Sequence, residues 1–236
     1  MNAAGSRRRS SLQASNASAG RFARRISHYW CELAQTAEEQ HHPDEAERAL
    51  QQALKADPSS ARPLVMQGQR LLRANRPADA FEAWSELRRR DPAAFTLVAG
   101  DYADAAIAAG RAADAKEALE KLLADAPRLD FLGAWAKLEA DPDVVANRYR
   151  EMLHAHPTLS AAREVLQQPA IAASAAAVGP LAERSLADVR TAVTQAAKPL
   201  QRYRCAACGF EAQRHFWQCP GCLSWDSYPA LRIEEQ

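Results

Sequence analysis

Pro43-Asp44-Glu45-Ala46-Glu47-Arg48-Ala49-Leu50, closing at Asp57-Pro58, and Pro77-Ala78-Asp79-Ala80-Phe81-Glu82-Ala83-Trp84, closing at Asp91-Pro92, decide the fold. The opening prolines and the Asp-Pro pairs each stand 34 residues apart, a period that marks a stacked repeat. Ala46, Leu50 and Ala53 in the first stretch match Ala80, Trp84 and Leu87 in the second, all at helical spacing. Proline suits the first position of a helix, where its missing N–H has no partner to lose. Each stretch is preceded by another helical pattern: Trp30, Leu33, Ala34 and Ala37 before the first, Leu64, Gly68 and Leu71 before the second.

The pattern continues twice more. Ala99, Tyr102, Ala103 and Ala106 lead to Ala115, Leu119, Leu122 and Pro127, with one residue inserted at the turn. Leu129, Leu132, Gly133 and Ala136 lead to Val145, Tyr149, Met152 and Pro157, through a shortened connection. His41-His42-Pro43, Asn75-Arg76-Pro77 and Gly110-Arg111 supply the turns between paired helices. Small residues at Ala34, Gly68, Ala103 and Gly133 allow close approach, and Leu50, Trp84, Leu119 or Tyr149 fills each groove. This arrangement resembles the tetratricopeptide repeat and predicts a mainly α fold: a superhelical solenoid of about four repeats over 22–157. One such unit cannot bury its own apolar face, so neighbours stack, and the concave surface is the usual place for a partner peptide. Trp84, Tyr149 and Met152 read as core. Over 158–199, Leu159–Gln167 and Leu181–Ala197 read as capping helices, the second with Leu181, Leu186, Val189 and Val193 on its apolar side. Pro169 to Pro180 reads as a soft alanine-rich connection, and Pro199 ends the last helix.

Composition agrees with this reading. Of 236 residues 47% are apolar but only 7% aromatic, and glycine numbers nine, so close-packed alanine-rich helices are favoured over a sandwich or barrel. No run of about 18 apolar residues is present to span a bilayer. The net charge of +1 gives no global reason for nucleic-acid binding. Charge is uneven, however. Arg7, Arg8, Arg9, Arg21, Arg24 and Arg25 precede the first acid, leaving 24 basic against 29 acidic residues elsewhere. This Ser- and Ala-rich leader, 1–21, is expected to be disordered; an organelle transit peptide or a lipid-touching tail are the other readings of the same residues.

Four of the five cysteines fall in Cys205-Ala206-Ala207-Cys208 and Cys219-Pro220-Gly221-Cys222, ten residues apart. Two such knuckles bring four sulfurs into a tetrahedron, the geometry wanted by zinc or a single iron. Gly209 supplies the positive φ needed after the second cysteine of a knuckle. Redox pairs of the thioredoxin type need a βαβ context absent here. So Cys205, Cys208, Cys219 and Cys222 are the candidate metal ligands of a small β ribbon over 200–236. Phe210, Phe216, Trp217, Trp225 and Tyr228 are expected to form its core, His215 to lie at its surface, and Cys31 to be a buried apolar residue. No catalytic constellation is evident.

Repeats followed by a four-cysteine ribbon, with His28-Tyr29-Trp30-Cys31-Glu32-Leu33-Ala34, Arg202-Tyr203-Arg204-Cys205 and Trp217-Gln218-Cys219-Pro220-Gly221-Cys222 through Trp225, make the chain similar to the lipopolysaccharide assembly protein B (LapB) family of Gram-negative bacteria, over about 22–233. The resemblance implies a non-enzymatic adaptor at the cytoplasmic face of the inner membrane. It implies partnership with the membrane-bound protease FtsH, and restraint of lipid A synthesis through degradation of the committed-step deacetylase LpxC. It also implies a rubredoxin-like site holding iron, with zinc as the physical alternative. Family members begin with a transmembrane helix and further repeats, and the basic leader is expected in their place. A generic repeat scaffold, an electron carrier and a nucleic-acid ribbon are the competing classes. The last is disfavoured because Arg202, Arg204, Arg214 and Arg232 balance Glu211, Asp226, Glu234 and Glu235.

Overall fold

In the computed structural model, which describes the backbone of residues 3–236 and side chains from Phe22 onward, α1 (Ala3–Glu39) turns back on α2 (Pro43–Ala56). A second hairpin follows, α3 (Ala61–Arg73) and α4 (Pro77–Arg90). The side chains of the basic leader fall outside the described residues. These two hairpins belong to one compact unit, Met1–Asp91, and everything from Pro92 to Gln236 forms another.

Two backbone devices recur from repeat to repeat. Where the first helix of a pair ends, His41, Asn75 and Gly110 adopt φ of 60°, 56° and 69°. The next residue then donates back across the last turn: His42 N to Ala37 O at 2.8 Å, Arg76 N to Leu71 O at 2.9 Å, Arg111 N to Ala106 O at 2.7 Å. This is the Schellman closure, which satisfies carbonyls a helix end leaves orphaned. Where the second helix ends, proline forces the residue before it into extended backbone. Asp57, Asp91, Ala126 and His156 accordingly share φ between −135° and −147°. The proline period is therefore a geometric period.

In the first unit Cys31, Ala34, Ala49, Leu50 and Ala53 form a buried cluster, with Trp30 and Met66 against it. Gly68 faces Trp84 so closely that a Cβ there would lie 2.7 Å from Cδ1 and nearer still to Nε1 and Cε2. Trp84 is fully buried and donates Nε1–H to Val65 O at 3.4 Å.

The second unit opens with a broken helix: α5 (Pro92–Phe95), a 3-10 turn (Thr96–Val98) and α6 (Ala99–Ala108) pair with α7 (Ala112–Asp125). The fourth repeat is α8 (Leu129–Ala136) and α9 (Pro142–Ala155). The core of this unit is more aromatic than the period suggests. Phe95 meets Tyr102 edge-on at 5.1 Å and lies 5.9 Å from Phe131, all three buried. Buried Trp135 donates to Glu120 Oε1 at 3.1 Å beneath the Arg148 guanidinium, 4.7 Å from its ring. Tyr149 is buried as expected, whereas Met152 is only half-buried.

After α10 (Leu159–Gln167) the chain departs from expectation. Pro169–Val178 is a helix, α11, rather than a soft connection, and Gly179 with φ 128° separates it from α12 (Pro180–Ala197). Alanine has the highest intrinsic helix propensity, and Pro169 opens α11 at N1. The supposed apolar side of α12 is not covered: Leu181 and Val189 are exposed, Leu186 and Val193 half-buried, and Ala197 alone in that helix is buried. Two short strands, β1 (Tyr203–Arg204) and β2 (Glu211–Ala212), pair antiparallel in the ribbon, and a 3-10 turn at Ile233–Glu235 ends the chain.

Candidate metal centre

The hairpin β1–β2 holds the first knuckle at its tip, and an isolated bridge between Gln218 and Trp225 flanks the second. The knuckles repeat each other atom for atom in the backbone. Gly209 N donates to Cys205 O and Leu223 N to Cys219 O, both at 2.9 Å. Cys205 N donates to Phe210 O and Cys219 N to Ser224 O, again both at 2.9 Å. Gly209 has φ 78°, as expected. Its counterpart is Leu223, with φ 60°, which the sequence pattern did not single out. Gly221 is closely approached: a Cβ there would lie 3.3 Å from Phe210 Cδ2.

The four sulfurs of Cys205, Cys208, Cys219 and Cys222 all lie within 4.8 Å of one another. Cys205 and Cys222 are 3.8 Å apart, and Cys208 and Cys219 3.6 Å. A tetrahedral metal with bonds of about 2.3 Å to sulfur requires sulfurs about 3.8 Å apart. The arrangement thus suits a tetrahedral four-thiolate metal. His215 is not part of the cluster.

Electrostatics in the cluster are those of four sulfurs crowded into one small space. Burial opposes ionisation of Cys205, but Ser227, with its Oγ 3.2 Å away, and the N–H groups of Cys208 and Ala207 bring its thiol down to about 6. The Phe210 N–H favours the Cys208 thiolate; desolvation and the three other sulfurs outweigh it and push that thiol up to about 12. Ser224, through hydroxyl and backbone, lowers Cys222. One sulfur ionises readily and another resists, as expected when negative charge crowds a small space without a cation. Ser224, Ser227 and Leu223 stand beside the sulfurs and were not singled out by the sequence reading; the signal available was the internal symmetry of the knuckles.

Around the sulfurs the core is smaller than expected. Cys205, Cys219 and Tyr228 are buried, with Tyr203, Ala212 and Phe216 packed on them. Phe210 is 44% exposed and covers Gly221 rather than the interior. Trp217 and Trp225 are half-buried. His215 is half-buried rather than fully at the surface: it packs edge-on to Tyr203, Trp217 and Tyr228, at 5.7, 4.9 and 6.2 Å. Its Nε2 lies 3.1 Å from Tyr228 O, and burial lowers its pKa. The spacing alone could not show that three aromatic rings pack against it.

Within the second unit the ribbon docks on the repeats. Arg232 pairs with Asp130 of α8 at 2.6 Å, Thr96 Oγ1 lies 3.0 Å from Ala230 O, and Ser160 N donates to Glu234 Oε2 at 3.4 Å. The Arg202 and Arg204 side chains both pair with Glu211, at 3.6 and 2.8 Å.

The repeats and the four-thiol ribbon define a class: a tetratricopeptide-repeat protein with a rubredoxin-like metal-binding module. Residues 27–60 match the tetratricopeptide repeat family and residues 203–228 the family described as rubredoxin metal binding domain. The particular resemblance is to lipopolysaccharide assembly protein B. The protein of that name from Escherichia coli K12 is 26% identical over 214 residues, covering 88% of this chain and 53% of that protein. Those from the O6:H1 and O157:H7 strains align with the same figures. The chain thus spans about half the length of the curated relatives it matches. Among solved structures, one titled "Crystal structure of MamA protein" aligns with a TM-score of 0.42 at 18% identity, over 73% of this chain and 90% of that one.

Proposed function

We propose that the chain is a non-enzymatic adaptor in lipopolysaccharide assembly that promotes FtsH-dependent proteolysis of LpxC at the cytoplasmic face of the inner membrane. The observation that carries this reading is the similarity to lipopolysaccharide assembly protein B along nearly the whole chain, ribbon included. In this reading the repeats, 22–157, hold protein partners, the helices of 158–199 cap them, and the ribbon, 200–236, stiffens the last repeats through Arg232, Thr96 and Ser160. Cys205, Cys208, Cys219 and Cys222 hold one metal ion, iron by family resemblance or zinc, whose role is to fix the ribbon. Among the described residues no helix is long and apolar enough to cross a membrane.

The test is the half-life of LpxC in cells that carry the protein, lack it, or carry Cys205→Ser. The deacetylase is expected to turn over quickly only with the intact protein, and only while FtsH is active. An unchanged half-life in all three strains removes the proteolytic role and leaves a repeat scaffold with another client.

A further inference from the structure

A cavity of about 790 Å³ lies within the second unit, walled by α6, α8, α9 and α10, by the end of α12 and by the ribbon. That size falls among ligand clefts, which run from about 300 to about 1,000 Å³. None of the four metal-ligating cysteines lines it. Four cations do. Arg232 is committed to Asp130 at 2.6 Å, Lys137 to Asp104 at 2.6 Å, and Arg163 to Glu164. Asp101 feels Lys137 but does not line the cavity. Lys198, exposed at the C-terminal cap of α12, has no carboxylate and no hydrogen-bond partner among the described residues. One positive charge is left over. A second donor is also uncommitted: the hydroxyl of buried Tyr149 makes no hydrogen bond among the described residues. Gly133 leaves room beside it, since even a Cβ there would stay 3.7 Å from that oxygen. Burial, and then the Glu164 carboxylate, push the tyrosine up to about 12, so it remains a protonated donor at neutral pH.

We propose that this cavity takes an acidic peptide segment of a protein partner, whose carboxylates meet Lys198 and the Tyr149 hydroxyl and whose backbone amides pair with Gln201 and Gln213. The chemistry of the walls selects that occupant. A single surplus cation matches a carboxylate monoanion. A phosphate calls for a guanidinium fork, and both arginines here already hold carboxylates. Side-chain amides offer a donor and an acceptor together, as peptide groups require. Gln213 makes no hydrogen bond among the described residues, and Gln201 spends one N–H on Ser160 Oγ at 3.2 Å. Tyr149 comes from the repeats, Lys198 from the last helix and Gln213 from the ribbon, so no single module holds the site. The inference rests on the adaptor reading, in which the repeats hold protein partners, and adds where one is held and by what chemistry.

Fluorescence anisotropy on the full chain tests this with a short labelled peptide of alternating Glu and Ser, and with the same peptide carrying Gln for Glu. The acidic peptide is expected to bind at least about tenfold more tightly, and less tightly as salt rises. Lys198→Glu, at an exposed position, should weaken its binding at least about tenfold. Tyr149→Phe keeps the ring in the core and should weaken it about two- to fivefold. Circular dichroism confirms that the helices persist, and if one variant fails to fold the other carries the test. No binding, equal affinity for the two peptides, indifference to both substitutions, or displacement by an equal concentration of inorganic phosphate overturns the inference. The half-life of LpxC is read separately. Lost peptide binding with LpxC turnover still dependent on the protein removes this site alone; peptide binding with turnover independent of the protein removes the proteolytic role alone.

Discussion

The repeats and the ribbon solve the same problem in opposite ways. In the repeats burial is distributed: Trp84, Leu87, Leu119, Phe131 and Trp135 are each almost completely enclosed, and they are spread over three hairpins. Each such side chain contributes about 1.5–3 kcal/mol, and loss of one leaves neighbouring repeats their own contacts. The ribbon has two-residue strands and buries only Cys205, Cys219 and Tyr228. So small a module lacks the apolar surface to fold alone and relies on a staple. Stability that is spread out in one region is concentrated at one point in the other.

The most direct way to break that contrast is to remove one sulfur. Cys208 is exposed, so Cys208→Ser disturbs little packing. The expected result is loss of about one bound metal per chain and collapse of the ribbon's near-ultraviolet signal from Trp217 and Trp225, while far-ultraviolet helicity stays within a few per cent of the original. Metal analysis and an absorption spectrum on the starting protein distinguish iron from zinc. A ribbon that keeps its fold after metal removal would show that its aromatic residues suffice and that the contrast is false.

Two glycines at equivalent repeat positions sharpen the contrast from the other side. Gly68→Ala drives a methyl into the fully buried Trp84 indole; a loss of about 3 kcal/mol or more is expected. Gly133→Ala places its Cβ in ordinary contact, 3.7 Å from the Tyr149 hydroxyl oxygen. There the gain in helix propensity decides, and stability should rise by about 0.5–1 kcal/mol. Urea unfolding of both variants measures the pair. Equal effects would mean that the repeats share stress, contrary to the hairpin-by-hairpin picture.

The same two glycines show what was legible beforehand. The proline period, the small-against-large pairing and the knuckles are local statements, and sequence spacing reports local geometry directly. Trp84 on Gly68 and the four sulfurs follow from it. What escaped depended on neighbours distant in the chain. Phe131 and Trp135 are core because α8 is rotated to meet Phe95 and the Glu120 carboxylate. His215 is half-buried because Tyr228, thirteen residues on, packs against it. Helix α11 escaped for a different reason: a run of alanines between two prolines carries no amphipathic signal, and its helix buries nothing.

The smallest expected effect tests the ribbon's internal symmetry. Leu223 occupies the left-handed position that Gly209 fills in the first knuckle, and its side chain is 66% exposed, so it contributes little packing. A side chain held in that conformation costs about 1–2 kcal/mol. Leu223→Gly relieves this strain but adds freedom to the unfolded chain worth about 0.5–1 kcal/mol. The balance favours the variant by about 0.5–1 kcal/mol, enough to slow metal loss to a chelator about two- to fivefold if the release step opens the knuckle. The corresponding Gly209→Leu should speed it. If both substitutions slow release, or neither changes it, the left-handed turns do not control opening, and the sulfur bonds alone hold the ribbon closed.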